Sequence, residues 1–316
     1  MENDKVAVLM ATYNGEKYIS EQLDSILNQT YKDITIYIHD DGSTDGTVDI
    51  LEDYAGKNPG RIVIVKGESC GSARNNFFYL MECVQESYYM FSDQDDVWLP
   101  EKIEKSMARI KKTEMEYPGK PALVFSDMRV VKHNKELISD SFTRYNNLDT
   151  EHLVLNSLIV QNCGAGCTMM FNRKTRDEAL KYKMYEDESK ILIHDWWVVL
   201  TAASLGKVDY IDEKLTLYRQ HGSNEVGAVK EVGLKKLMQL VFWTITLSHI
   251  KETKQRIRAF VDQGKALSVF KLSGENKKIV CVMQRFDEMS KLQRIRAFRR
   301  YRIYRNKRNI WQLICL

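Results

Sequence analysis

The sequence has little of what breaks, staples or threads a chain. Only four of its 316 residues are proline, and it contains neither an internal repeat nor a low-complexity segment, which argues against disorder. Six cysteines (Cys70, Cys83, Cys163, Cys167, Cys281, Cys315) are scattered along it. Only Cys163 and Cys167 lie close together, at a C-x3-C spacing with no histidine nearby, so reduced thiols are expected instead of a zinc site or disulfide framework. No secretory leader is visible, because Met1–Lys5 runs straight into the apolar stretch Val6–Thr12 and then a turn, which predicts a cytosolic start. The longest apolar-rich stretch, Leu237–Ile250, falls short of the roughly 20 residues that cross a bilayer.

What is present is an ordinary folding composition, 44% hydrophobic and 28% charged, with a marked asymmetry of charge. Between Arg285 and Arg308 ten Lys/Arg face two acids, so the net charge of +4 is a property of the tail and the rest of the chain is net acidic. A basic segment attracts phospholipid headgroups or nucleic acid. Phe286, Phe298, Tyr301, Tyr304 and Trp311 interleave with the cations, as a nucleic-acid binder would also show. The neighbouring Leu237–Ile250, with Phe242 and Trp243, turns the reading toward an interfacial helix on an anionic membrane surface and away from nucleic acid. A solvated helical face or a homo-oligomer contact through the C-terminal helices is the alternative.

The first half alternates short β-branched runs with helical periodicity, the pattern of βαβ units and an α/β fold with a mainly parallel sheet. Strands are predicted at Val6–Thr12, Ile34–His39, Arg61–Val65, Tyr88–Ser92 and Ala122–Ser126, and helices after Asn14-Gly15 and at Thr44–Tyr54, Ser72–Glu86 and Glu101–Met115. Further on, Glu151–Leu158 and His194–Leu205 read as helical, and Gly166–Phe171 and Val208–Tyr218 as extended. Beyond about Glu225 everything reads as helix, giving two regions, 1–224 and a helical basic tail, 225–316.

Ligands of open α/β sheets collect at the carboxyl ends of strands, and here those positions are acidic. Asp40 and Asp41 follow the second strand, and Asp93, Asp95 and Asp96 follow the fourth. Converging carboxylates repel unless a cation or donor groups sit among them; a hard divalent ion shared with a diphosphate is the simplest solution. Asp40-Asp41-Gly42-Ser43-Thr44 is equally the signature of a turn and helix cap. Asp93-Gln94-Asp95-Asp96 follows an aromatic, buried strand, where a solvated loop does not explain the charge.

Six segments, Ala11-Thr12-Tyr13-Asn14-Gly15, Asp40-Asp41-Gly42-Ser43-Thr44-Asp45, Gly71-Ser72-Ala73-Arg74-Asn75, Asp93-Gln94-Asp95-Asp96, His194-Asp195-Trp196-Trp197 and Tyr218-Arg219-Gln220-His221, stand in the order and approximate spacing of family 2 glycosyltransferases with the GT-A fold. The resemblance covers about residues 5–224 and is nearest to bacterial rhamnosyltransferases of cell-wall or capsular polysaccharide. It implies that Thr12, Asp41, Arg74 and Asp93 bind the nucleotide, and that Asp95 and His221 ligate Mg²⁺ or Mn²⁺. Asp195 would be the base of an inverting displacement. The implied donor is dTDP-L-rhamnose, with a UDP-hexose as the alternative. The implied acceptor is a lipid-diphosphate-linked glycan at the inner face of the cell membrane. The family more often has Glu-Asp where this chain has His194-Asp195, which leaves the role of His194 open. Trp196 and Trp197 are candidates for stacking on acceptor sugars, one of them expected in the core.

Two readings from other classes compete. A nucleotidyltransferase making sugar nucleotides would want a glycine- and base-rich phosphate loop after the first strand, which Ala11–Gly15 does not supply. A non-catalytic glycan-binding scaffold is the other.

Overall fold

The computed structural model describes residues 4–220 and 247–304, and these divide into two compact units. One comprises 4–142, 164–181 and 193–220; the other comprises 143–163, 182–192 and 247–304.

The first unit is built on β1 (Val6–Thr12), α1 (Ile19–Leu27), β2 (Ile34–Asp40), α2 (Thr47–Lys57), β3 (Ile62–Ile64), α3 (Ala73–Cys83), β4 (Tyr88–Ser92), β5 (Val97–Trp98), α4 (Lys102–Glu116), β6 (Ala122–Lys132) and β7 (Leu137–Ser139). After α5 (Phe142–Tyr145) and α6 (Leu155–Leu158), it resumes with β8 (Met169–Asn172), α7 (Arg173–Ala179), α8 (His194–Leu205) and β9 (Lys207–Gln220). The strands form one sheet in the order β3-β2-β1-β4-β8-β6-β9-β5, with β7 on β6. Strands β1 to β4, β6 and β9 run one way; β5, β7 and β8 run against them. The parallel half is covered on both faces, so β1 and β4 are apolar throughout instead of alternating. Helices α1 and α4 contribute Ile19, Leu23, Ile26, Ile103, Met107 and Ile110 to the main core.

Register decides what the sheet presents. Thr12 pairs with Asp40 across β1 and β2, and Met10 pairs with Ser92 across β1 and β4. The segments leaving the three strands, where the sequence analysis located its acids, therefore share one rim. The short β5, absent from the sequence-based prediction, pairs antiparallel with β9, Trp98 opposite Thr216 and Val97 opposite Leu217. That pairing brings the loop between β4 and β5 against the last residues of β9.

The second unit carries α9 (Leu247–Ala266), α10 (Gly274–Gln284) and α11 (Lys291–Tyr301). Gly264 permits close packing of α9 on α10, since a Cβ there would lie 2.9 Å from the Cβ of Met283. Phe286 and Phe298, which the sequence places among the tail's cations, are core residues with ring centroids 5.1 Å apart. They are not available to a membrane: Phe286, between α10 and α11, is buried, and α11 turns Phe298 inward with Ala297 while leaving Lys291, Leu292, Arg296, Arg299 and Arg300 exposed. No described helix is long and apolar enough to cross a membrane.

Candidate active site

The rim has two acidic stations, and their chemistry differs. At the end of β2 the Asp40 carboxylate accepts from the Thr12 hydroxyl (2.8 Å), the amides of Gly42 (3.1 Å) and Ser43 (2.7 Å) and the Ser43 hydroxyl (2.6 Å). Asp41 turns the other way and accepts on one oxygen from the Ser69 hydroxyl (2.9 Å) and the amides of Cys70 and Gly71. Donor groups thus absorb the repulsion at this station. Thr12 is buried and its hydroxyl is committed to Asp40. The 69–71 turn held by Asp41 leads into α3, whose Ser72 side chain caps the Asn75 amide at 3.3 Å. Arg74 lies in that first turn, half-buried, with Nε 3.1 Å from Asn75 Oδ1.

At the end of β4 the setting differs, with Asp96 in the interior. Asp96 is 1% exposed; one oxygen accepts the Arg219 amide at 3.2 Å, and the other, also buried, meets no N–H or O–H donor. Burial, and next the charge of Asp95, push its carboxyl up to about 7. Asp93 and Asp95 are half-buried on the same loop. Gln94 points back and clamps β1's exit, accepting the Tyr13 amide and donating to the Tyr13 carbonyl, both at 2.9 Å. Gly15 gives Gln94 its room, since a Cβ there would stand 2.3 Å from the amide oxygen.

Behind the loop lies a fully buried lysine. Lys102 Nζ donates to the Thr216 hydroxyl at 2.8 Å and to the Cys167 carbonyl, and sits 3.7 Å from the centroid of the Trp98 ring. Burial lowers its pKa to about 8. Burial, followed by the carboxylates of Asp96 and Asp93, pushes the Cys167 thiol far up, so it stays protonated. The Tyr218 phenol is pushed up by burial and by the same aspartates.

Asp195, 9% exposed, opens α8. One carboxylate oxygen accepts the Gly166 amide at 3.0 Å and the other its neighbour's amide, that of Trp196, at 2.5 Å. Both oxygens thus accept backbone amides at the start of the helix. His194 turns inward, stacked on Phe77 (4.1 Å between centroids) and edge-on to Phe91 (4.8 Å). Burial lowers its pKa to about 3, so it is a neutral core imidazole. Trp197 is core as well, its indole donating to the Ala179 carbonyl at 2.7 Å, and Trp196 is half-buried.

The profile described as Glycosyl transferase family 2 matches residues 7–178. The chain belongs to that family. It is a glycosyltransferase, and the first four of the six motifs singled out in the sequence lie within the matched residues. The dTDP-rhamnosyl transferase RfbG of Shigella flexneri is 35% identical over 227 residues, covering 69% of this chain and 74% of that one. The UDP-Glc:alpha-D-GlcNAc-diphosphoundecaprenol beta-1,3-glucosyltransferase WfaP of Escherichia coli is 36% identical over 98 residues, 31% of this chain and 38% of that one. Among solved structures, S. aureus TarS 1-349 in complex with UDP-GlcNAc superposes with a TM-score of 0.55 at 18% identity, covering 98% of this chain and 92% of that one. TarS thereby shares the fold of this family 2 glycosyltransferase.

A divalent cation fits the second station. Asp93, Asp96 and Cys167 each offer a donor atom, all within 4.8 Å of one another. With the thiol protonated, the usable donors are carboxylate oxygens, one of them buried without an N–H or O–H donor, which is the donor set of a hard ion. Asp95 stands on the same loop outside that trio, and His221 lies outside the described residues. Sequence reasoning overlooked Gln94, Lys102 and Arg219. A lysine in an amphipathic helix carries no signal that it is buried, and the arginine of Tyr218-Arg219-Gln220-His221 stood inside a quoted motif without an assigned task.

Proposed function

We propose that this family 2 glycosyltransferase transfers L-rhamnose from dTDP-L-rhamnose to a lipid-diphosphate-linked glycan, with inversion, in bacterial surface polysaccharide synthesis. The relative that acts on a dTDP-rhamnosyl donor supports the donor, and the one that acts on a diphosphoundecaprenol-linked sugar supports the acceptor. One observation supports the site: Asp195 accepts the amide of Gly166, and the next residue, Cys167, lies within 4.8 Å of the Asp93 and Asp96 oxygens. Candidate base and acid loop therefore share a single turn.

In this reading Asp41 and Arg74 flank the nucleotide at the end of β2, Thr12 keeps Asp40 and the turn in place, and Asp93 faces the ribose. Asp95 and His221, with the buried Asp96 of the same loop, would hold Mg²⁺ or Mn²⁺, which when bound neutralises charge on the nucleoside diphosphate. The Asp195 carboxylate accepts the proton of the acceptor hydroxyl as that oxygen bonds to the anomeric carbon. The anomeric carbon–phosphate oxygen bond breaks, and its electron pair leaves with dTDP. A panel of dTDP- and UDP-sugars scored by nucleoside diphosphate release tests the donor; release from a UDP-hexose alone would replace rhamnose.

The same reading has the enzyme on the cytoplasmic face of the membrane, held by charge. Among the described residues Lys291, Arg296, Arg299 and Arg300 form no ion pair, and Leu292 beside them is 68% exposed. Phe242, Trp243 and Trp311 lie outside the described residues; with Phe286 and Phe298 in the core, attraction to anionic headgroups is the force that the described part of the tail supplies. Arg296→Glu with Arg299→Glu and Arg300→Glu is expected to abolish co-sedimentation with anionic vesicles; unchanged sedimentation would favour a contact between copies of the chain.

A further inference from the structure

We infer that Arg219 is the positioning residue of the β4–β5 acid loop, holding Asp95 and Asp96 against the end of β9. The inference rests on the proposed reading of Asp93 and Asp95 as donor-side carboxylates.

Arg219 is 3% exposed and gathers four segments of chain. Its amide donates to Asp96 Oδ1 at 3.2 Å, and its Nε to the Asp95 carbonyl at 2.8 Å. Nη1 donates to the His133 carbonyl at 2.5 Å, after β6, and Nη2 pairs with Glu21 on α1. The Tyr18 ring covers the guanidinium, 4.7 Å from centroid to Cζ. The aspartates repel one another, and their loop is a turn followed by a two-residue strand, too short to set its own shape. A planar fork of donors bound at once to the loop, to β6's exit and to α1 supplies the missing restraint. Because the amide and the side chain of one residue hold Asp96 and Asp95, the spacing of the carboxylates is tied to the position of β9's last turn of chain.

A lysine keeps the charge but has a single nitrogen, which cannot serve Asp95, His133 and Glu21 in this geometry. Arg219→Lys is therefore expected to weaken binding of Mn²⁺ with dTDP or UDP, measured calorimetrically, by about 10- to 100-fold, the usual cost of losing a partner behind the ligands. The Mn²⁺ concentration that half-activates transfer should rise in parallel. A merely structural arginine would lower the unfolding temperature and leave the nucleotide and metal affinity of the folded enzyme within about twofold of wild type, which would overturn the inference. Asp95→Asn, measured alongside, separates the two claims. If it binds nucleotide and metal as wild type does, the reading of the loop fails and the Arg219 inference with it. If it loses them while Arg219→Lys does not, only the Arg219 inference is overturned. Should Arg219→Lys not fold, Glu21→Gln, which removes the guanidinium's carboxylate from a partly exposed helix face, decides. A loss of affinity of about threefold or more supports the inference, and an unchanged affinity overturns it.

Discussion

Asp40-Asp41 and Asp95-Asp96 look alike in sequence, each an acidic pair at the carboxyl end of a parallel strand, and the structure gives them opposite fates. The first pair is surrounded by hydroxyls and amides, four donor contacts on Asp40 and three on one oxygen of Asp41. In the second, Asp96 is buried with one oxygen lacking an N–H or O–H donor, and its carboxyl is driven up to about 7. A carboxylate held by donors builds a turn; one that is buried, crowded and short of donors is poised to take a cation or a proton.

The largest expected effect tests the partner of the second station. Asp195→Asn keeps the shape of the side chain and one acceptor oxygen, so it retains one of the two hydrogen bonds to Gly166 and Trp196 but removes the proton acceptor. Turnover at saturating donor should fall about 10²- to 10⁴-fold while donor affinity changes little. Turnover near wild type would reduce Asp195 to a helix cap and move the search to other groups. Next, Asp95→Asn should abolish metal-dependent nucleotide binding in calorimetry without lowering the unfolding temperature, whereas full transfer activity in EDTA would remove the cation from the proposal.

Two substitutions set the stations directly against each other. Asp40→Ala leaves the buried Thr12 hydroxyl and the Ser43 amide without their acceptor and is expected to cost about 1–3 kcal/mol in denaturant unfolding. Asp96→Asn should do the reverse at neutral and higher pH. A carboxyl raised from 3.8 to about 7 binds more protons in the folded state, so its contribution to stability is lost as pH rises between those values. The variant lacks that loss and should gain on metal-free wild type across the window. Equal effects of the two substitutions would collapse the distinction.

The smallest effect concerns His194. Its folded pKa of about 3 lies below the ordinary 6.5, so the unfolded chain binds more protons between those values and stability falls as pH drops from about 6.5. His194→Phe, placing a ring between Phe77 and Phe91, should flatten that part of the stability–pH curve.

Much of this was legible in the residues. Val6–Thr12, Tyr88–Ser92 and His194–Leu205 lie where the pattern put them, because a strand buried on both faces and a helix buried nearly all round write continuous apolar runs. The same runs fixed where the acids fall, at the ends of strands, and the six motifs carried the family. Tertiary structure decided the rest. Of the helical reading at 151–158 only Leu155–Leu158 is helix, and the extended reading at 166–171 begins with a 3₁₀ turn. Strand β6 runs on to Lys132 because β9, distant in sequence, pairs with it as far as Gln220. Composition could not say that Asp40 would be saturated and Asp96 left short, nor that Lys102 and Arg219 would be buried. Donor count and burial are sums over neighbours from α1, β5, β6 and β9, and those neighbours exist only once the sheet has brought them together.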